Sequence, residues 1–250
     1  RMEISNLFLK YHYTINIMDL IEGDIHEVIK TIDDNSVDCI YTDPPFAITG
    51  AKWDKGLDWI NLFPEMWRVL KDNGSIVLHS SMPFTFDLVS SQRKYFKYNY
   101  VWKKNIATNF FLAKKQPLRI HEDICVFYKK QPTYNPQMIG SEFHKKRNVI
   151  YGGQDKYYGE CKVKENIETE DGGHKGRFPN TYLEYPIRKS KKSDKNTAST
   201  RPDELVDFFI KTYTNEGDTI FDLTCYDGLT GKRCGLLNRK YIGVDLELQK

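Results

Sequence analysis

The chain has 250 residues, 40% of them hydrophobic and 14% aromatic, enough for one full α/β core with an inserted lobe. No run approaches the ~18 apolar residues of a membrane span and no signal-peptide pattern opens the sequence, so a cytoplasmic protein is expected. A net charge of +3 does not by itself indicate a nucleic-acid partner, and the five cysteines (Cys39, Cys125, Cys161, Cys225 and Cys234) form no C-x-x-C pair, so they read as reduced structural residues and offer no clustered His/Cys metal set.

In chain order, the first informative element is the apolar run Val37 to Thr42, which ends on Asp43-Pro44-Pro45-Phe46. The run predicts a buried strand, and the two prolines remove backbone donors and fix a turn at its carboxyl end. The Asp43 carboxylate and the Pro44 carbonyl then become outward acceptors beside the aromatic ring of Phe46. Two acceptors and a ring suit an amine on a heterocycle. Its lone pair is delocalised into the ring system, and two accepted N–H bonds would aim that lone pair at an electrophile while Phe46 stacks on the base.

Leu57 to Leu70 carries helix-spaced apolar residues, with Asp72-Asn73-Gly74 as its stop. Ser75 to His79 predicts a short buried strand. A helix from about Phe84 to Tyr95 follows, then strands near Tyr98 to Lys103 and over Glu122 to Tyr128. Trp53 and His79 lie near these elements and read as core or surface residues. Strands and helices alternating at these lengths imply a doubly wound α/β domain with a largely parallel sheet, whose ligands sit at the carboxyl ends of the strands.

Charge is concentrated in the middle of the chain. Lys103 to Arg201 holds 21 Lys and Arg against 11 Asp and Glu, whereas the remainder holds 16 against 23. Tyr134, Phe143, Tyr151, Tyr157, Tyr158, Phe178 and Tyr182 are interleaved with these cations. The pattern fits a surface that neutralises phosphates and stacks on unpaired bases. Ile139 to Gly176 has little periodicity and reads as a lobe that orders on a duplex, and Ser190 to Ser199 as a polar connector.

Asp203 to Thr214 is an amphipathic run. Asp218 to Thr224 then reads as a buried strand that enters the loop Cys225-Tyr226-Asp227-Gly228-Leu229-Thr230-Gly231 and the helical stretch Lys232 to Leu237. A second strand, Tyr241 to Asp245, ends on an acid. Strand, glycine-containing loop, helix, strand and terminal acid is the plan of a nucleoside-binding βαβ half.

Together these segments resemble the S-adenosylmethionine-dependent amino methyltransferases of DNA, in the permuted order where D-P-P-[YF] precedes the cofactor loop. Val101-Trp102-Lys103-Lys104, Phe111 to Arg119, His121-Glu122 and Val126 to Lys130 are similar to prophage-type adenine methyltransferases. Asn16 to Thr42 looks like the family's opening strand, Gly-Asp step, helix and catalytic strand. The likeness runs from about Thr14 to the end. It implies a Rossmann-like methyltransferase sheet as a single domain over residues 1–250, with an inserted basic target-recognition lobe and connector over residues 131–199.

The resemblance further implies S-adenosyl-L-methionine as cofactor, double-stranded DNA as partner, and no metal. The expected reaction is site-specific transfer of methyl to the N6 amine of a flipped adenine, within or outside a restriction-modification system and inside a host cell if the protein is phage-encoded. Catalysis falls to Asp43, Pro44, Pro45 and Phe46. Cofactor binding falls to Asp24, Asp43, Thr200, Arg201, Pro202, Asp222, Cys225, Gly228, Thr230 and Asp245, with helix N-capping as the alternative role of Asp24 and Asp222. DNA binding falls to Lys114, Lys115, Arg119, Lys145, Lys146 and Arg147.

Two segments depart from the family pattern. Tyr226 stands where the cofactor loop has its first glycine, which predicts a loop that bends differently or holds the cofactor less tightly. Thr200-Arg201-Pro202 replaces Gln-Lys-Pro and keeps a cation and a rigid turn. Adenine is preferred to cytosine N4 because the cytosine enzymes more often carry Ser at the position of Asp43. Asn-initiated glutamine methyltransferases and Trp-terminated RNA adenine methyltransferases fit less well. A reading of another class stays open, in which the chain is a catalytically weak DNA-binding module or a partner subunit lending its basic lobe to an active copy; as a partner, a homodimer or a partner methyltransferase subunit is expected.

Overall fold

The computed structural model describes residues 18–145, 154–155, 159–160, 173–187 and 201–248. Two compact units divide them, the first within Arg1–Asn135 and Thr181–Lys250 and the second within Pro136–Asn180. In chain order the elements are β1 (Met18–Glu22), α1 (Ile25–Val28), β2 (Val37–Thr42), α2 (Trp59–Val69), β3 (Leu70–Ser80), α3 (Phe84–Ser91), β4 (Phe96–Thr108) and β5 (Arg119–Phe127). The short strands β6 (Ile139–Lys145), β7 (Gln154–Asp155), β8 (Gly159–Glu160) and β9 (Gly173–Arg177) follow. The chain then continues with β10 (Tyr182–Glu184), α4 (Asp203–Tyr213), β11 (Thr219–Asp222), α5 (Leu229–Leu236) and β12 (Lys240–Asp245).

Among the described residues of the first unit, eight strands form one sheet in the order β1-β12-β11-β2-β3-β5-β4-β10. Neighbours from β1 to β3 are parallel, β5 runs against β3 and β4, and β10 is parallel to β4. The chain passes from β2 through α2 to β3 on one side and from β11 through α5 to β12 on the other. The order therefore reverses between β2 and β11, and a crevice opens at their carboxyl ends.

Both faces of the sheet are covered, which explains the apolar runs of its central strands. Period-2 alternation in β2 sends Tyr41 to one side and Ile40 to the other. Tyr41, Val77, Trp102 and Ile124 pack with Leu205, Val206, Phe209 and Tyr213 of α4. Ile40, Ile76, Leu78 and Phe221 pack with Ile25, Leu62, Phe63, Met66 and Leu88 from α1 to α3. Arg233 ties α5 to α4 through two bonds to Asp207, at 2.7 and 2.6 Å.

Several boundaries differ from those read in the sequence. Asp58, not Leu57, opens α2 by accepting from the Asn61 N–H. Asp72-Asn73-Gly74 lies inside β3, where the register against β2 shifts between Val37 and Cys39. Gly74 is there for close packing: a Cβ on it would sit 2.8 Å from the Asp38 carbonyl and 2.7 Å from Leu70 Cγ. The helix expected to reach Tyr95 stops at Ser91. β4 and β5 run well beyond their apolar segments because they pair with each other as far as Thr108 and Arg119. In a hairpin of that kind backbone pairing, not side-chain hydrophobicity, sets the length.

The second unit contains the antiparallel pairs β6–β9 and β7–β8. It is narrower than the 131–199 lobe expected from sequence, since residues 131–135 and 181–187 belong to the first unit. Residues 188–199 of that stretch lie outside the described residues.

Phe209 holds α4 against the centre of the sheet, stacking on Tyr41 at 5.6 Å and on Tyr213 at 6.4 Å between ring centroids. Removing its ring should cost about 3–5 kcal/mol. Urea unfolding of Phe209→Ala should therefore show a large fall in midpoint with little change in slope.

Candidate active site

Asp43 and Asp222 end the two strands that flank the crevice, and Thr224 joins them. Its hydroxyl lies 3.0 Å from that of Thr42 and donates to the Asp43 carbonyl at 3.1 Å, while its N–H donates to Asp222 Oδ1 at 3.3 Å. The Asp222 carboxyl is buried and also accepts from Tyr241 Oη at 3.1 Å. Burial raises it above its ordinary value, against the pull of Thr42, Arg201 and Tyr241. Asp43 is only partly buried and forms an ion pair with Arg201. Arg201 Nε is buried and has no hydrogen-bond partner in the described structure.

Beyond Asp43, Pro44 is buried and Phe46 half-buried, stacked on Phe84 of α3 at 5.5 Å. Phe46, Ala47, Ile48, Gly56, Trp59, Pro83, Phe84 and Asp87 line a cleft of about 240 Å³. One residue that sequence reasoning did not single out organises this wall. The Asp54 carboxylate accepts from the N–H groups of Ala47, Ile48 and Thr49 at 2.7, 3.0 and 2.7 Å and from Thr49 Oγ1 at 2.6 Å. It thereby holds Ala47 in the left-handed region, at φ 55°. Burial opposes the charge on Asp54, yet the bonds from Thr49, Ala47 and Ile48 together keep its carboxyl below the ordinary 3.8. An Asp eight residues past Pro45-Phe46 was the only available signal.

Across the crevice, the loop after β11 is pinned from both ends. Cys225 N–H donates to the Val244 carbonyl at 2.8 Å and Tyr226 N–H to Asp245 Oδ2 at 2.8 Å. Gly228, at φ 67°, caps α5, and Thr230 is buried in the first turn of that helix. Tyr226 itself adopts φ 44°, the backbone region that favours glycine, and its ring is 45% exposed. Gly231 has a packing role: a Cβ there would lie 2.7 Å from Tyr241 Cε1.

The structure thus brings Asp43, Arg201, Asp222, Cys225, Gly228, Thr230 and Asp245 to one edge of the sheet. Asp24 lies on the same edge but caps α1, accepting from the His26 N–H at 2.9 Å. Pro202 immediately precedes α4. Lys114, Lys115 and Arg119 lie on the β4–β5 hairpin. Lys145 closes β6, whereas Lys146, Arg147 and Thr200 lie outside the described residues.

Cys225, Cys39 and His79 are not prepared as nucleophiles. Burial raises the Cys225 thiol to about 12 and the Cys39 thiol to about 12. His79 is fully buried, with Nε2 3.0 Å from Tyr41 Oη, and burial together with nearby Lys104 pushes it down to about 3. It is a neutral core histidine, as a lone His was read to be. Among the described residues there is no group of His, Cys, Asp and Glu able to hold a metal ion, and no helix long and apolar enough to cross a membrane.

A family profile described as DNA methylase matches residues 37–250. The chain is 29% identical to the type II methyltransferase M.BamHI of Bacillus amyloliquefaciens, over 94% of this chain and 56% of that protein. It is 26% identical to the DNA adenine methyltransferase YhdJ of Escherichia coli K12, over 91% of this chain and 78% of that one. The chain thus spans little more than half the length of M.BamHI. Among solved structures, the cytosine-N4-specific PvuII DNA methyltransferase matches with a TM-score of 0.65 at 15% identity, covering 93% of this chain and 84% of that one. An M1.HpyAVI complex with SAM matches with a TM-score of 0.57 at 20% identity, covering 92% and 94%.

Two measurements follow from this geometry. Asp54→Asn replaces an acceptor with an amide that cannot satisfy three N–H groups, so the amides of Ala47, Ile48 and Thr49 should exchange with deuterium faster than in the parent, while those of β2 remain protected. His79 is neutral when folded and protonates at an ordinary 6.5 when unfolded. The unfolded state therefore binds the extra proton, and stability should fall as pH drops below 6.5 and down towards 3, by up to about 1.4 kcal/mol per pH unit. The urea midpoint of His79→Gln should lack that component of the slope.

Proposed function

We propose that this chain, which belongs to the DNA methylase family, transfers a methyl group from S-adenosyl-L-methionine to the exocyclic N6 amine of an adenine turned out of duplex DNA. The observation that carries the reading is Asp43-Pro44-Pro45-Phe46 at the carboxyl end of β2, joined through Thr224 to the end of β11 at the point where strand order reverses. The cofactor would supply an electrophilic methyl carried on a sulfonium.

The residues of the crevice fit such a cofactor. Asp245 and Asp222 are acceptors for hydroxyl and ammonium groups, and the unpartnered Nε of Arg201 is a donor for a carboxylate. Asp43 and the Pro44 carbonyl would take the two N–H bonds of the target amine. Phe46 would stack on the base with the face that Phe84 leaves open. Positioning is the main contribution. As the amine is alkylated its N–H becomes acidic, and Asp43 can accept the proton late.

Adenine is favoured over cytosine by the residue type at Asp43. The alternative of a catalytically weak partner subunit rested on Tyr226. That residue keeps the left-handed backbone of a glycine and leaves its ring exposed, which supports a working loop. Lys114, Lys115 and Arg119 of the hairpin, with Lys145, Lys146 and Arg147, are proposed to contact DNA phosphates.

The test is transfer of labelled methyl to mixed-sequence duplex DNA, followed by nucleoside mass analysis. N6-methyladenine is expected, and N4-methylcytosine would replace the base assignment while keeping the mechanism. Thermal stabilisation by the cofactor separates an enzyme from a subunit with a closed site. Asp43→Ala should abolish transfer and leave DNA affinity within about threefold, since phosphate contacts dominate that affinity; loss of both together would make Asp43 structural.

A further inference from the structure

The hairpin between β4 and β5 ends in an apolar tip. Phe110, Phe111 and Leu112 form a single 3-10 turn there and are 76%, 100% and 37% exposed. Ile106 and Ile120 on the two flanking strands are also exposed, 57% and 38%. Asn109, in the left-handed region at φ 65°, turns the chain into it. From Asn105 to Arg119 the sequence holds Lys114, Lys115 and Arg119 and no Asp or Glu. A fully exposed Phe among cations is a poor arrangement for solubility and calls for an occupant.

The position of the tip narrows the choice of occupant. β4 runs parallel to β2 and β3, so the hairpin projects from the same carboxyl edge that carries Asp43. Arg119 Nη2 donates to the Met82 carbonyl at 3.2 Å, and Met82 precedes Pro83 and Phe84, which line the cleft beside Phe46. The neck of the tip, where Arg119 opens β5, is therefore tied to the segment that lines the cleft. A second copy of the same tip would bring like charges together, whereas a polyanion with an apolar interior accepts both the cations and the rings.

We propose that Phe111, backed by Phe110, is an intercalating wedge that enters the base stack of duplex DNA and fills the place of the nucleotide turned out towards Asp43, while Lys114 and Lys115 neutralise the flanking phosphates. The inference rests on the DNA reading given above. A ring inserted between bases restores stacking that the displaced base gives up, so the wedge is needed only where a stack must be opened.

The experiment compares the parent chain with Phe111→Ala and Phe111→Trp on mixed-sequence DNA, as duplex and as heat-denatured single strands. Phe111→Ala should lower kcat/KM on duplex about tenfold or more, the scale of one base–aromatic stacking interaction, and stay within about twofold of the parent on single strands. Phe111→Trp should restore duplex activity, and its additional indole emission should be quenched when duplex is added. Equal loss on both substrates, no loss on duplex, or no quenching would overturn the wedge, as would a change in sedimentation of Phe111→Ala, which would make the tip a subunit contact. If the parent transfers no methyl to either substrate, the reaction reading fails, and quenching of the Phe111→Trp emission by duplex still decides the wedge.

Discussion

The reversal of strand order between β2 and β11 is the constraint from which the rest follows. Two parallel strands whose helices leave in opposite directions cannot cover their own carboxyl ends, and the two chain segments emerging there would separate without a link. Thr224 supplies that link, bonded to Thr42, to the Asp43 carbonyl and, through its N–H, to Asp222. Asp43 and the buried Asp222 are thus joined through one bridging residue. Phe209 of α4 stacks on Tyr41, two residues before Asp43, and packs that helix against the sheet beside the site.

The chemistry of the crevice is consistent with catalysis by placement. Burial holds the Cys225 thiol protonated and His79 neutral near pH 7, so neither is poised as a nucleophile or a strong base. Among the described residues, the carboxyl groups of Asp43, Asp222 and Asp245 and the guanidinium of Arg201 lie at this edge. Arg201 faces Asp43, and the field of Asp222 and Asp227 also bears on it.

Much of this was legible in the sequence, for a physical reason. Buried parallel strands are apolar throughout, and turns at their ends need Pro, Gly or Asp, so Val37–Phe46 and Asp218–Gly231 announce themselves. What the sequence hid are features whose signal lies in three dimensions. Asp54 looks like any loop acid until three N–H groups converge on it. Gly74 read as part of a helix stop and Gly231 as the end of a glycine-containing loop, but they make room for Leu70 and for the Tyr241 ring. The length of the β4–β5 hairpin is set by mutual backbone pairing across polar residues, which leaves no periodic trace. Asp24 shows the converse limit: the sequence admitted both a ligand and a cap, and the His26 N–H shows the cap.

Tyr226 stands where the resembling pattern has glycine, and its backbone is in the left-handed region. A non-glycine residue in the left-handed region is disfavoured by about 1–2 kcal/mol, and it persists only where its surroundings over-determine it. Here they do: the preceding N–H is fixed on Val244, its own N–H on Asp245, and Gly228 N–H on the Cys225 carbonyl. Three bonds within four residues set the path of the loop irrespective of the side chain that rides on it. The glycine of the pattern is therefore replaceable as far as the backbone is concerned. The consequence of the substitution is confined to what an exposed phenol does to a ligand approaching the loop.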